Sequence, residues 1–295
     1  MIKFPSKEKN LFVEQGKLLD EKNRGFIRDA LPNNGLKVEA TSATIISGPP
    51  GVGKTYGTIE ECKNRNVTYI TIGSGTTNVQ MVMKLAYNVS RLKDDEELVL
   101  IMDDADDVMF GSYEDLNRWK IALADAQPEL GLFPTYNHPV NMTNTLTGLR
   151  KQGKDSLADS IEQYIDDDSV GVTIPMTQVR VLVLCNLDLE DPKAFSRSPK
   201  MKSAVKAVLD RQGYHRIDAD WQQLWGWLAH VLSKTQPFDD HELNIGQKKE
   251  LLQWMYSNWQ QLRSTSFRTV NKLAADMINF PDDYESKWET KLRGN

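Results

Sequence analysis

The twelve residues Thr44-Ile-Ile-Ser-Gly-Pro-Pro-Gly-Val-Gly-Lys-Thr55 restrict the possible folds more than any other stretch of the chain. An apolar strand enters a glycine-rich turn, and the turn enters a helix expected to begin near Lys54. Gly48, Gly51 and Gly53 allow backbone N–H groups to converge, and the helix N-terminus adds positive potential. The spacing G-x-x-x-x-G-K-[ST] is that of a phosphate cradle. In such a cradle Lys54 reaches the β and γ phosphates of a nucleotide and the Thr55 hydroxyl binds Mg²⁺. The plain alternative is a tight strand-to-helix turn that happens to be rich in glycine. The strand–loop–helix order implies an α/β fold built on a doubly wound parallel sheet.

A central strand of such a sheet is buried on both faces and reads as an unbroken apolar run. Leu98-Val-Leu-Ile-Met102 is such a run, and it ends in Asp103-Asp104-Ala105-Asp106-Asp107. Ligands of doubly wound sheets bind beyond the carboxyl ends of the strands, where the cradle also lies. Asp103 is therefore expected to hold Mg²⁺ through water, and Asp104 to polarise an attacking water. A solvated acidic turn with helix-capping aspartates is the alternative, and Asp106 and Asp107 fit it better. Val179 to Cys185 reads as another buried strand. It ends in Asn186, which can orient water, touch a γ-phosphate or simply start a turn.

Val67 to Ile72 alternates like a strand. The loop Gly73-Ser-Gly-Thr-Thr-Asn78 then leads to a helix capped by Thr76 or Thr77, with Val79, Val82, Met83, Ala86 and Val89 at helical spacing. Helices are expected from Tyr113 to Ala126 and from Met201 to Leu209, and a short edge-like strand from Tyr214 to Asp218. Residues 127–178 carry no continuous pattern. They hold a helix around Leu157, Ile161 and Ile165, the acid run Asp166 to Asp168, and Val170 to Ile174 as one arm of a hairpin.

At 295 residues the chain can hold an α/β domain and a smaller appendage. Residues 1–40 form a leading segment that either lines the adenine side of the site or docks peripherally. Residues 41–218 form the nucleotide-binding domain, with 127–178 inserted before a late strand. No alternating pattern follows residue 218, so residues 219–295 read as helical. Trp221, Leu224, Trp225, Leu228 and Val231 lie on one helical face, and Leu251, Trp254, Met255, Trp259 and Leu262 on another. Tryptophans at this spacing read as core rather than as a base-stacking platform.

The net charge of −5 gives no global attraction for nucleic acid, although 36 Lys and Arg leave room for a local basic stripe. The two cysteines, Cys62 and Cys185, argue against a disulfide framework or a zinc site and fit a reducing cytoplasm. There is no apolar run of membrane-spanning length, and Met1 to Asn10 is too polar for a secretory signal, so no membrane partner is expected.

Taken in order, these features resemble the AAA+ ATPases over residues 40–295. Gly48-Pro-Pro-Gly-Val-Gly-Lys-Thr55 is similar to that family's Walker A segment. The resemblance implies nucleotide contacts from Gly48, Pro49, Pro50, Gly51, Val52, Gly53, Lys54, Thr55 and Tyr56. Leu98 to Asp104 resembles Walker B, with Asp103 and Thr55 on the metal and Asp104 where a glutamate is usual, which implies slow hydrolysis. Asn186 resembles sensor 1. Arg211 corresponds to the arginine finger, with Arg216 as a rival, and Arg268 in Ser266-Phe-Arg-Thr269 corresponds to sensor 2 on a helical lid. Asp103-Asp-Ala-Asp106 followed by Leu116-Asn-Arg-Trp-Lys-Ile-Ala-Leu123 is also similar to AAA+ proteins encoded by bacteriophages.

The resemblance implies an ATP- and Mg²⁺-dependent homo-oligomer, a ring or arc such as a hexamer, that remodels or loads a replication-type nucleic-acid complex. The loop at Gly73 to Thr77 lacks the aromatic paddle of protein unfoldases and can track a phosphate backbone. The 127–178 insertion falls where DNA-acting branches of the family insert a hairpin, with Arg150, Lys151 and Lys154 either its basic contacts or the charges of a solvated loop. A protein-directed chaperone and a slowly hydrolysing nucleotide-gated switch are the alternatives.

Overall fold

The computed structural model describes residues 2–31, 43–104, 106–123, 129–132, 142–165, 172–191, 199–210, 212–238 and 240–292. In chain order the elements are α1 (Lys7–Ala30), β1 (Ala43–Ser47), α2 (Lys54–Asn64), β2 (Thr68–Ile72), α3 (Asn78–Val89), β3 (Leu98–Asp103), α4 (Asp106–Phe110) and α5 (Tyr113–Ala122). They continue with β4 (Glu129–Leu132), α6 (Met142–Lys151), α7 (Asp155–Glu162), β5 (Val172–Pro175), β6 (Val179–Cys185), α8 (Pro199–Leu209) and β7 (Gly213–Arg216). The last four are α9 (Trp221–Leu232), α10 (Ile245–Ser257), α11 (Phe267–Asn279) and α12 (Tyr284–Glu289). Among the described residues no helix is long and apolar enough to cross a membrane.

By contacts the chain divides into two compact units. One comprises Ile27–Ser47 and Thr58–Arg216. It is an α/β unit around a five-stranded parallel sheet of order β2-β3-β6-β1-β7. Strands β1 and β3 are buried on both faces, which is why Leu98 to Met102 of β3 reads as an unbroken apolar run, whereas β1 also buries Thr44 and Ser47. Ala43, Ile45, Leu100, Met102, Val181 and Val183 face a core shared with α3, α5 and α8. On the opposite face Ile46, Ile101, Leu182 and Leu184 are equally buried.

Helix α3 starts where its capping residue dictates. The Thr77 hydroxyl accepts from Gln80 N–H, and the Gln80 side chain accepts from Thr77 N–H in return. Asp106 and Asp107 open α4. The stretch expected as one arm of a hairpin holds β5, whose antiparallel partner is not adjacent in sequence. Strand β5 pairs antiparallel with β4, far upstream, and α6 and α7 lie between the two in sequence. Ala158, Ile161, Val172 and Ile174 are fully buried in the same core as α3. Their apolar side chains hold the segment on the domain. The acid run at 166–168 lies outside the described residues.

The other unit comprises Met1–Phe26, Gly48–Gly57 and Ile217–Asn295. Its core joins α1 to the C-terminal helices through Val13, Trp225, Leu228, Leu251, Val270 and Trp288. The Trp225 and Trp288 indole N–H groups donate to Leu252 O at 2.8 Å and Leu273 O at 2.9 Å, so both rings are buried without an orphaned donor. Lys248 is also buried. Its ammonium donates to Leu232 O and Thr235 O, both at 2.9 Å, and so caps the end of α9.

Candidate functional site

Strand β1 ends at Ser47 and the chain passes directly into the loop. Gly51 and Gly53 have φ of 84° and 77°, left-handed values that strain any residue with a Cβ. Space excludes a side chain as well. A Cβ at Gly51 would stand 2.3 Å from Ser266 Cβ, and one at Gly53 would stand 2.7 Å from Trp227 Cζ2.

Lys54 begins α2, and Gly57 N–H donates to Gly53 O at 2.8 Å in its first turn. The buried Lys54 ammonium donates to Gly48 O at 2.8 Å and Pro49 O at 3.0 Å, folding the side chain over the loop that precedes it. Val52 is buried, Pro49 and Thr55 are half-buried, and Pro50 and Tyr56 are exposed. A backbone turn without side chains at its two left-handed positions, with a cation folded over it and a helix start beyond it, fits a polyphosphate.

In the α/β unit the carboxyl ends of three neighbouring strands share one edge of the sheet. Ser47 of β1 is in register with Cys185 of β6, and Leu184 of β6 with Asp103 of β3. Asp103 is thus two strands from β1, about 10 Å at ordinary strand spacing. It is half-buried. Asp104 follows with φ of 50°, a left-handed turn that aspartate tolerates better than most residues. The exposed Asn186, just past β6, donates from Nδ2 to Asp104 Oδ1 at 2.7 Å. The acidic strand end and the polar residue of the neighbouring strand are therefore one hydrogen-bonded pair. An amide donor on one oxygen fixes the direction of the carboxylate.

The expected arginines fare differently. Arg211 lies outside the described residues. Its rival Arg216, at the end of β7, is paired with Asp188 at 2.5 Å, within its own chain. Arg268 is exposed on the first turn of α11, whose N-cap is Ser266, the residue beside Gly51. Arg150, expected as a basic contact, has acidic partners within the chain. It binds Asp159 at 3.1 Å and Glu162 at 2.8 Å, and these hydrogen bonds, Glu162 first, raise its pKa further. Both ion pairs are solvent-exposed, and they place acidic oxygens beside the guanidinium. The N-terminus of α3 is likewise occupied by its own capping box. Lys151 and Lys154 remain exposed.

Two residues around the loop escape the sequence reading, Asn23 and Trp227, and Ser266 enters it only as the start of a lid helix. Trp227 left a signal, because Trp225-Gly-Trp-Leu-Ala229 is apolar on every side and such a helix must be covered all round. Asn23 left none. No protein-family model matches the chain, and no curated protein matches it.

Proposed function

We propose that this chain is a magnesium-dependent ATPase of the AAA+ type, active as an oligomer that remodels a macromolecular client. The observation that carries the reading is the loop from Gly48 to Lys54, with its two left-handed glycines and its lysine folded over the backbone at the end of a buried parallel strand. The backbone N–H groups of Gly51, Gly53 and Lys54 would bind the phosphates, and the Lys54 ammonium would turn from loop carbonyls to phosphate oxygens. Thr55 and Asp103 would hold Mg²⁺, which would supply charge neutralisation for the phosphates. Asp104, its carboxylate oriented by Asn186, would accept a proton from the attacking water. Arg268 would donate to the terminal phosphate from the helical unit, and Arg211 would do so across a subunit boundary.

The test is phosphate release from ATP with and without magnesium. Lys54→Ala should lower turnover on the order of a hundredfold, the usual result of removing a preorganised donor. Purified protein that neither binds nor hydrolyses ATP with magnesium would overturn the reading.

For the client, a replication-type nucleic-acid complex would meet the Gly73 to Thr77 loop together with Lys151 and Lys154. A second reading, a protein client, is favoured by the acidic partners of Arg150 and the self-capped α3. Stimulation of turnover by single- or double-stranded DNA, lost at high salt, selects the first; indifference to nucleic acids removes it.

A further inference from the structure

We infer that Asn23, on the N-terminal helix, is a positioning residue for the phosphate loop, and that α1 through it tunes the affinity of the site for nucleotide. The inference rests on the nucleotide-binding reading above and deepens it. Its basis is one buried hydrogen bond. Asn23 Nδ2 donates to Val52 O at 3.1 Å. Asn23 is 4 % exposed and Val52 1 %. A carbonyl can only accept, so the amide must turn its NH₂ toward Val52, and Asn23 Oδ1 is left buried without a hydrogen-bond partner. The side chain holds this orientation although its own acceptor goes unsatisfied.

Peptide geometry carries the consequence into the loop. The unit joining Val52 to Gly53 is planar and trans, so the Val52 carbonyl and the Gly53 N–H point in opposite directions. Drawing the carbonyl toward α1 aims the Gly53 N–H away from α1. A half-turn of that peptide would reverse both groups. Gly53 resists such a turn weakly, because glycine populates positive and negative φ about equally. A loop built this way keeps its donors aimed only if something outside it holds the peptide.

Helix α1 supplies that hold at two points. Asn23 grips the carbonyl. Asp20, one turn earlier on the same face, accepts from the Trp227 indole N–H at 3.1 Å, and the ring of Trp227 lies against Gly53. Arg24 donates to the other Asp20 oxygen at 3.1 Å. Donors fixed in advance bind a phosphate without paying for reorganisation.

The test uses the full chain and two variants. Asn23→Leu keeps the volume and removes the donor; Trp227→Phe removes the indole N–H and shortens the ring. Three quantities are compared with wild type: amide hydrogen exchange at residues 51–54 without nucleotide, the rise in melting temperature on adding ATP with Mg²⁺, and the steady-state constants. Asn23→Leu should exchange faster at Gly53. It should raise Kd and KM for ATP about tenfold, with kcat changed less than about twofold, as loss of binding common to ground and transition states requires.

A purely scaffolding asparagine would lower the melting temperature and leave exchange and KM at wild-type values, and that result overturns the inference. If Asn23→Leu does not fold, Trp227→Phe carries the same expectation and the same overturning result. Wild-type protein whose melting temperature ignores ATP with Mg²⁺ brings down the nucleotide reading and the inference together. An Asn23→Leu variant with wild-type ATP affinity brings down the inference alone.

Discussion

Asp104 holds a left-handed backbone at the end of a buried strand, and its carboxylate is pinned by Asn186. A carboxylate that acts as a base cannot be replaced by an amide, whereas one that only caps a turn can. Asp104→Asn should therefore lower ATP turnover on the order of a hundredfold while leaving ATP affinity near wild type. Steady-state kinetics beside equilibrium binding checks this, and unchanged turnover would favour the gated switch instead. Cys62, on α2, shows a second residue-scale effect. It is fully buried, and burial first, with Arg65 opposing, pushes its thiol up to about 11. Only the thiolate is nucleophilic, so the folded protein should resist alkylation at Cys62 at neutral pH and react once denatured. Timed labelling with a maleimide reads this directly.

Between elements, the contact of α1 with α9 decides most. A Cβ at Gly226 would lie 1.8 Å from Phe12 O, and one at Gly16 would lie 2.0 Å from Trp227 N. The two helices meet backbone to backbone, and no side-chain rearrangement can make room. Gly226→Ala should destabilise the helical unit by about 3 kcal/mol, at the upper end of ordinary overpacking, measurable by chemical denaturation. The same interface holds His230, whose Nδ1 is buried without a hydrogen-bond partner. Burial first, then Lys234, lowers its pKa below 6.5, with Asp20 opposing. Since the folded-state pKa is depressed, the contribution to stability is present above pH 6.5 and is lost as pH falls through the folded value. Wild-type protein should lose denaturation midpoint as pH falls below 6.5, and His230→Leu should lose less.

For the whole molecule, the proposed ATPase makes assembly part of catalysis. An arginine contributed across a subunit boundary is worth roughly 10³ to 10⁵ in rate. Mixing Arg211→Ala chains with Lys54→Ala chains should restore turnover that neither has alone, because each supplies what the other lacks. Light scattering alongside the assay should show mass rising with ATP. If Arg211→Ala alone keeps full activity, the finger passes to Arg216, which must first leave Asp188.

The local elements were legible because each is dictated within a few residues of chain. Thr77 begins a helix through its own hydroxyl, unbroken apolar runs such as Leu98 to Met102 demand cover on both faces, and Gly51 and Gly53 adopt angles that glycine takes without strain. The candidate phosphate loop and the acidic strand end could be read in the same way. What surrounds them could not. That Leu146, Leu149, Ala158, Ile161, Val172 and Ile174 are buried in the core they share with α3, that Arg150 pairs with Asp159 and Glu162, and that Asn23 reaches Val52 all depend on groups beyond the local stretch of chain. A hydrogen bond between residues 29 positions apart has no periodicity to announce it, so only the folded chain decides which amide holds the loop.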